Sequence, residues 1–217
     1  MILRAINRER FTLVAALASW VGIWGAWIAH TTVGLTQNGF YLAEWSTYLL
    51  DVRYGGMRLA PEMIRLAVAL GSVGACVAAA IGDWRLRWGA RLLVVPIGLN
   101  LLPPYPDILN LWWSDGYGVR FIISMVFWVG LAGCLLADRF DPRKRSLVII
   151  ALSLGAVTSA AWGFAQLQGP FSAHYATSIL PGWGLVLFVI GLLAAVAIQM
   201  WGLAQSGRGN QKGPDTI

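Results

Sequence analysis

The sequence predicts an all-α, polytopic integral membrane protein: a bundle of six transmembrane helices with both termini in the cytoplasm and short interfacial helices in its outer loops. Three observations carry this reading. Apolar side chains make up 58% of the chain and charged ones 12%, with a mean hydropathy of +0.65, where a soluble domain carries about 25% charged residues. Apolar runs of membrane length recur along the chain. The basic residues gather on alternate connectors between those runs, which is how orientation is encoded in a membrane protein. The net charge of +6 therefore reports topology, and no nucleic-acid partner is expected.

Crossing about 30 Å of hydrocarbon takes roughly 20 residues at about 1.5 Å each. Spans are predicted at 11–29, 62–82, 88–102, 120–137, 147–167 and 178–203, forming one domain over 1–203. The first follows the basic stretch MILRAINRER and contains Ala16-Leu17-Ala18, which imitates a signal-peptide cleavage site. Its apolar run continues through Ile28, too long for a signal core, so a retained helix is expected. Trp20, Trp24 and Trp27 fall at i, i+4 and i+7 opposite Gly22. Either they form an aromatic platform, or bulky rings face lipid while small residues face the bundle.

Ala18, Gly22 and Ala26 form one small-residue seam. Gly71, Ala75, Ala79 with Gly74, Ala78, Gly82 supply two more in the second span, and Gly155, Ser159, Gly163 another in the fifth. Such seams let helix backbones approach closely in lipid. The third span has only fifteen residues and contains Pro96, Gly98 and Asn100; it rises about 22 Å, short of the hydrocarbon thickness. Pro103, Pro104 and Pro106 follow, so a regular helix does not continue to Trp113. Asp107 is suited to cap a brief interfacial helix from Ile108 to Trp113. After the sixth span, 204–217 are polar and glycine-rich, and a disordered cytoplasmic tail is expected.

The first outer loop, about thirty residues long, is too long for a simple connection. Within it Leu42, Trp45, Tyr48 and Leu49 suggest an amphipathic surface helix ended by Tyr54-Gly55-Gly56. All six tyrosines and both histidines fall on the outer side, with Glu44, Asp51, Glu62, Asp107 and Asp115. A candidate ligand pocket is assembled there from Tyr41, Trp45, Tyr48, Tyr105, Asp107, Trp112, Trp113, Arg120 and His174, because polar groups converging amid aromatic walls are what an orienting site needs. The alternative sets the same rings outward at headgroup depth. Arg58, Glu62 and Arg65 form a charged cluster suited to helical pairing or to anion capture.

His30 and His174 raise a b-type haem, but His174 lies in the loop-like GPFSAHYAT, so interfacial hydrogen bonding is the default and no cofactor is expected. Cys76 and Cys134 both sit in apolar runs, giving no zinc ligand pair and no exposed disulfide. The stretch DRFDPRKR, 138–145, reads as a stop-transfer turn. HExxH, GxSxG and P-loop motifs are absent, as are paired intramembrane carboxylates; Asn100, Ser153, Thr158 and Gln199 are the notable polar residues inside spans. An autonomous pump or an intramembrane hydrolase is thereby disfavoured.

Six spans with a long outer loop after the first are similar in outline to the substrate-binding components of energy-coupling-factor vitamin transporters. That resemblance is one of topology and implies an outer-face binder of a small apolar or amphipathic ligand. The expectation is a non-enzymatic subunit of a transport or other complex in a bacterial inner membrane, with lipids and a membrane-protein partner or second copy around it. The ligand binder is the second expectation and a haem or quinone redox protein the third. Twelve basic residues on the connectors assigned to the cytoplasm, against Arg53, Arg58, Arg65 and Arg120 on the other side, predict that a reporter fused after Leu203 reads as cytoplasmic. An external reading would overturn the six-span topology.

Overall fold

The structure is a computed structural model of the chain and describes residues 2–29, 36–104 and 117–209. Its helices are α1 (Ile2–Trp24), α2 (Gly39–Ser46), α3 (Leu50–Arg53), α4 (Ala60–Ala79), α5 (Trp84–Leu101), α6 (Gly118–Gly133), α7 (Pro142–Tyr175) and α8 (Trp183–Gly209), with a 3-10 turn at Ala137–Arg139. Six of these helices are sixteen residues or longer, and α2 and α3 lie in the connection between α1 and α4. Among the described residues there is no strand beyond isolated backbone bridges. Three helices, α4, α7 and α8 as far as Gln205, are long and apolar enough to cross a membrane, and α6 is a shorter apolar helix. In α1 the apolar part begins only after Arg10, and α5 carries Arg85, Arg87 and Arg91.

The chain is all-helical with a membrane protein's surface. Val14, Leu17 and Val21 on α1, Ile122, Val126 and Val129 on α6, and Val186, Ile190 and Leu193 on α8 are all exposed at helical spacing. Apolar stripes repeated around the flank exceed what soluble monomers expose. At about 1.5 Å per residue α7 is about 51 Å long, well over the roughly 30 Å of hydrocarbon.

The central element is α4. Its run of alanine, glycine and serine is buried on nearly every side, packed against α7, α1, α6, α5 and α2. Small side chains make this possible. Gly71 lies under the Phe188 ring, Gly74 faces Leu152, and a Cβ on Gly163 would sit 3.1 Å from the Ala60 carbonyl oxygen. The α1–α8 pair is closer still: a Cβ on Gly22 would lie 2.5 Å from the Phe188 nitrogen, and one on Gly191 2.6 Å from that of Ser19. At the far end of this pair Gln199 donates to Thr12 Oγ1 at 2.7 Å, and Ser146 Oγ lies 2.8 Å from Gln199 Oε1, tying α1, α7 and α8 by polar contacts where the hydrophobic effect offers no attraction.

Several predicted boundaries change, each because tertiary contacts overrule local pattern. The first span was expected through residue 29, but α1 stops at Trp24. Gly25 is pressed against Trp183 and Gly184, and the next residues extend. Trp27 N and Ile28 N donate to Gln37 O at 2.7 and 3.0 Å, while Gly182 N donates to Trp27 O and Gly184 N to Ala26 O, both at 2.7 Å. These partners satisfy backbone groups that the helix has released. Trp27 is consequently fully buried, donating Nε1 to Gly22 O at 3.0 Å and packing on Phe188. It shares no platform or lipid face with Trp24, which is exposed.

The third span begins at Trp84, earlier than predicted, because Asp83 caps it by accepting from Leu86 N at 2.8 Å; Pro96 sits inside the helix. The fifth was expected to end at 167, with His174 in a loop. Instead α7 passes through Pro170 to Tyr175 and ends at Ala176 in the left-handed region. Leu167 and Phe171 are buried on either side of the proline, and Gln168 Nε2 donates to Ile179 O at 2.7 Å, so packing holds the helix across the break. The last helix starts at Trp183 instead of 178 and continues to Gly209, into the expected tail; 210–217 and the predicted helix 108–113 lie outside the described residues.

Glycine replacements rank these contacts. Gly22→Leu is expected to abolish folded, monodisperse protein in detergent, because backbone must move. Gly155→Leu should lower yield only moderately, since the nearest atom to a new Cβ is the flexible end of Leu70 at 3.1 Å. Fluorescence-detected size exclusion checks both, and a wild-type profile for Gly22→Leu would remove the α1–α8 contact.

Candidate functional site: a buried ion-pair network

The connection between α1 and α4 does form a helix, α2, which of the predicted apolar stripe buries Leu42 against the protein and leaves Trp45 and Tyr48 exposed. Asn38 caps α2 by accepting from Tyr41 N at 2.9 Å. Gly39, Leu42, Ala43 and Ser46 are buried, and Trp45 and Tyr48 point away, stacked edge to face with centroids 6.5 Å apart. The small residues decide this: Gly39 rests on the Trp27 ring and Ala43 sits low enough for its carbonyl to meet Arg65. With that face down, Glu44 reaches over the ends of α4 and α6.

Arg65 on α4 and Arg120 on α6 are 4% and 9% exposed, an expensive place for a cation without partners. Both guanidiniums meet the same oxygen: Arg65 Nη2 and Arg120 Nη1 each lie 3.0 Å from Glu44 Oε2. Arg65 also donates through Nη1 to Glu62 Oε1 and through Nη2 to Ala43 O at 3.3 Å. Arg120 donates to Leu101 O at 3.4 Å and Asn100 O at 3.2 Å. Those are carbonyls of the last turn of α5, which have no helical partner and carry the negative end of its dipole. Arg120 is thus both a counter-ion and the cap that closes α5. The four groups are formally neutral together, and Glu44, with 42% of its side chain exposed, is the member nearest to solvent.

Beside the network lies a cavity of about 200 Å³ lined by Tyr41, Glu44, Arg65, Val68, Arg120 and the end of α5. Glu62 Oε2, Ser72 Oγ and Ser124 Oγ are buried without a hydrogen-bond partner among the described residues. Ser72 is two turns along α4 from Arg65 and Ser124 one turn along α6 from Arg120, so polar capacity continues inward from the arginines.

Of the residues predicted to form an outer pocket, the structure brings Tyr41 and Arg120 to this cavity. Trp45 and Tyr48 are exposed beside it, and His174 is exposed in the last turn of α7, against Tyr175. Tyr105, Asp107, Trp112 and Trp113 lie outside the described residues, as does His30. Of the charged cluster, Glu62 and Arg65 pair while Arg58 is exposed. No group of three or more metal-ligating side chains occurs among the described residues.

Sequence reasoning placed Glu44 on the same side as the arginines but did not assign it to the site, because its partners are 21 and 76 residues away. It also missed the contact that Cys134, a buried free thiol just past α6, makes with α4, where its Sγ lies 3.8 Å from Val73 O. Nearby, Arg91 donates to Cys134 O at 2.7 Å and lies over Trp88. Compared with protein-family models, characterised proteins and solved structures, the chain matches none. What fold and site define is therefore an all-helical protein with three helices long and apolar enough to cross a membrane and a charged chamber at the α2 end.

Glu44→Ala should destabilise the protein by about 2–4 kcal/mol, slightly under the cost of orphaning a fully buried charge because Glu44 is partly exposed. Glu44→Asp, which keeps the charge, should recover part of the loss. Denaturant unfolding in mixed micelles measures both, and an unchanged Glu44→Ala midpoint would show that the arginines do not depend on it.

Proposed function

We propose that this chain is a non-enzymatic, membrane-embedded binding protein that receives the acidic head of a small amphipathic ligand in the chamber between α2, α4, α5 and α6. It serves as the ligand-binding component of a larger assembly in a bacterial inner membrane. The observation carrying this reading is the single carboxylate of Glu44 shared by two buried guanidiniums beside an open polar cavity. Arginine pairs carboxylates and phosphates through a planar fork of donors. A ligand carboxylate or phosphate can therefore take the place of Glu44, which is near enough to water to swing out without leaving either arginine unpaired. Because Glu44 rides on α2, the exchange would loosen α2 from α4, signalling occupancy to a partner.

In this reading all six longer helices cross the membrane, both termini are cytoplasmic and α2 lies on the outer face. The arginines of the opposite connectors support that orientation. Phe40, Tyr41 and Val68 provide the apolar wall for the ligand's body.

Thermal-shift titration in nanodiscs with decanoate, decyl phosphate and uncharged decanol tests the exchange. The two anions should raise the melting temperature and decanol should not. Glu44→Gln removes the internal competitor and should tighten anion binding by on the order of tenfold, roughly one charge-assisted hydrogen bond, while Arg65→Met should abolish it. If neither wild type nor Glu44→Gln responds to the anions, the network is only a fastener for α2.

A further inference from the structure

A second, larger cavity lies at the opposite end of the bundle. It measures about 400 Å³ and occupies the cleft where α1 and α5 both rest on α4 without closing on each other. Its floor is Cys76, Ala79 and Val94, all buried, and its rim is Val14, Leu17 and Leu93, all exposed. The cleft thus opens sideways onto the apolar flank, not into water. Small residues keep it open: Gly89 lies in its wall, and a Cβ there would meet no atom within 4 Å.

The shape restricts the occupant. Along α1 the lining runs from Leu13 to Trp20, and along α5 from Arg85 to Val94. At about 1.5 Å per residue that is roughly 10–14 Å, close to one leaflet's half of a hydrocarbon core of about 30 Å. A single hydrocarbon chain fits. The charged side chain in the lining is Arg85, at the basic end of α5 and exposed. An arginine at the mouth of an otherwise apolar slot selects an anionic head attached to a chain.

We infer that this cleft is a specific site for an anionic glycerophospholipid, one acyl chain lying between α1 and α5 and its phosphate against Arg85. The bound chain completes the packing of α1 and α5 on α4, replacing contacts that the glycine and alanine side chains leave unmade. It is independent of the acidic-ligand chamber, which lies at the other end of α4.

The wild-type protein is reconstituted in phosphatidylcholine nanodiscs containing phosphatidylglycerol with a diazirine in its acyl chain. The label is expected on the peptides spanning 13–20 and 85–94. Native mass spectrometry should show one phosphatidylglycerol retained under activation that strips phosphatidylcholine. Gly89→Leu, which fills the slot from open space, should cut labelling and retention at least tenfold while keeping the wild-type melting temperature and monomeric mass. Arg85→Gln should keep the label but lose the preference for the anionic lipid. Labelling confined to the flanks of α6, α7 and α8, equal retention of both lipids by wild type, or a lipid-free dimer would each overturn the site. Should Gly89→Leu fail to fold, the wild-type label map and Arg85→Gln decide between the same outcomes.

Discussion

Two guanidiniums held in a largely apolar bundle must be neutralised where they stand, and that requirement organises the α2 end of this protein. Arg65 belongs to the central helix and Arg120 to a peripheral one, yet both converge on Glu44 Oε2. To deliver that oxygen, α2 must lie flat with its smallest residues down, and α5 must end where Arg120 can accept responsibility for its last carbonyls. Position, register and termination of three helices are therefore coupled through one carboxylate. Losing it removes the Arg120 counter-ion and leaves Arg65 with Glu62 alone, in a place where water cannot compensate fully.

The remainder of the bundle rests on close approach. With lipid outside, apolar surface gains little by moving from lipid to protein, and dispersion contacts between backbones must supply the attraction. Glycines at 22, 184 and 191 bring α1 and α8 together, while those at 71, 74 and 163 do the same for α4 and its neighbours. Where small residues meet a facing backbone the contact closes, as between α1 and α8. Where Gly89 and Ala90 of α5 look toward α1, with no atom within 4 Å of a Cβ on Gly89, a cleft remains. Close approach at one place and an open cleft at another thus follow from where the small residues fall.

Much of this was legible in the sequence, and the failures have physical causes. The apolar runs located all six longer helices, because hydrophobicity over twenty residues is a summed signal. Ends were less legible, because they answer to single contacts: Gly25 against Gly184, Asp83 on Leu86 N, and Pro170 overruled by Leu167 and Phe171. The surface helix was recognised, but the face it packs on the protein was not, since Gly39 and Ala43 determine it and small residues give no apolar periodicity. Arg120 and Tyr41 were assigned to an outer pocket from their placement, but Glu44 was not, because a partner 76 residues away leaves no mark on local periodicity. The contact of Cys134 Sγ with Val73 O, 61 residues away, was invisible for the same reason.

The partial exposure of Glu44 distinguishes a working site from a permanent fastener. Were the carboxylate as buried as Arg65, removing it would strand the Arg120 cation and the network could only be static, since a buried pair is broken at a cost of about 3–5 kcal/mol. At 42% exposure the carboxylate recovers much of its hydration by rotating outward, while the arginines recover theirs only if another anion arrives. The asymmetry makes departure of Glu44 conditional on its replacement, so ligand binding and release of α2 become one event. An ion pair of equal burial on both sides would lack that property, and it follows from where α2 places one side chain.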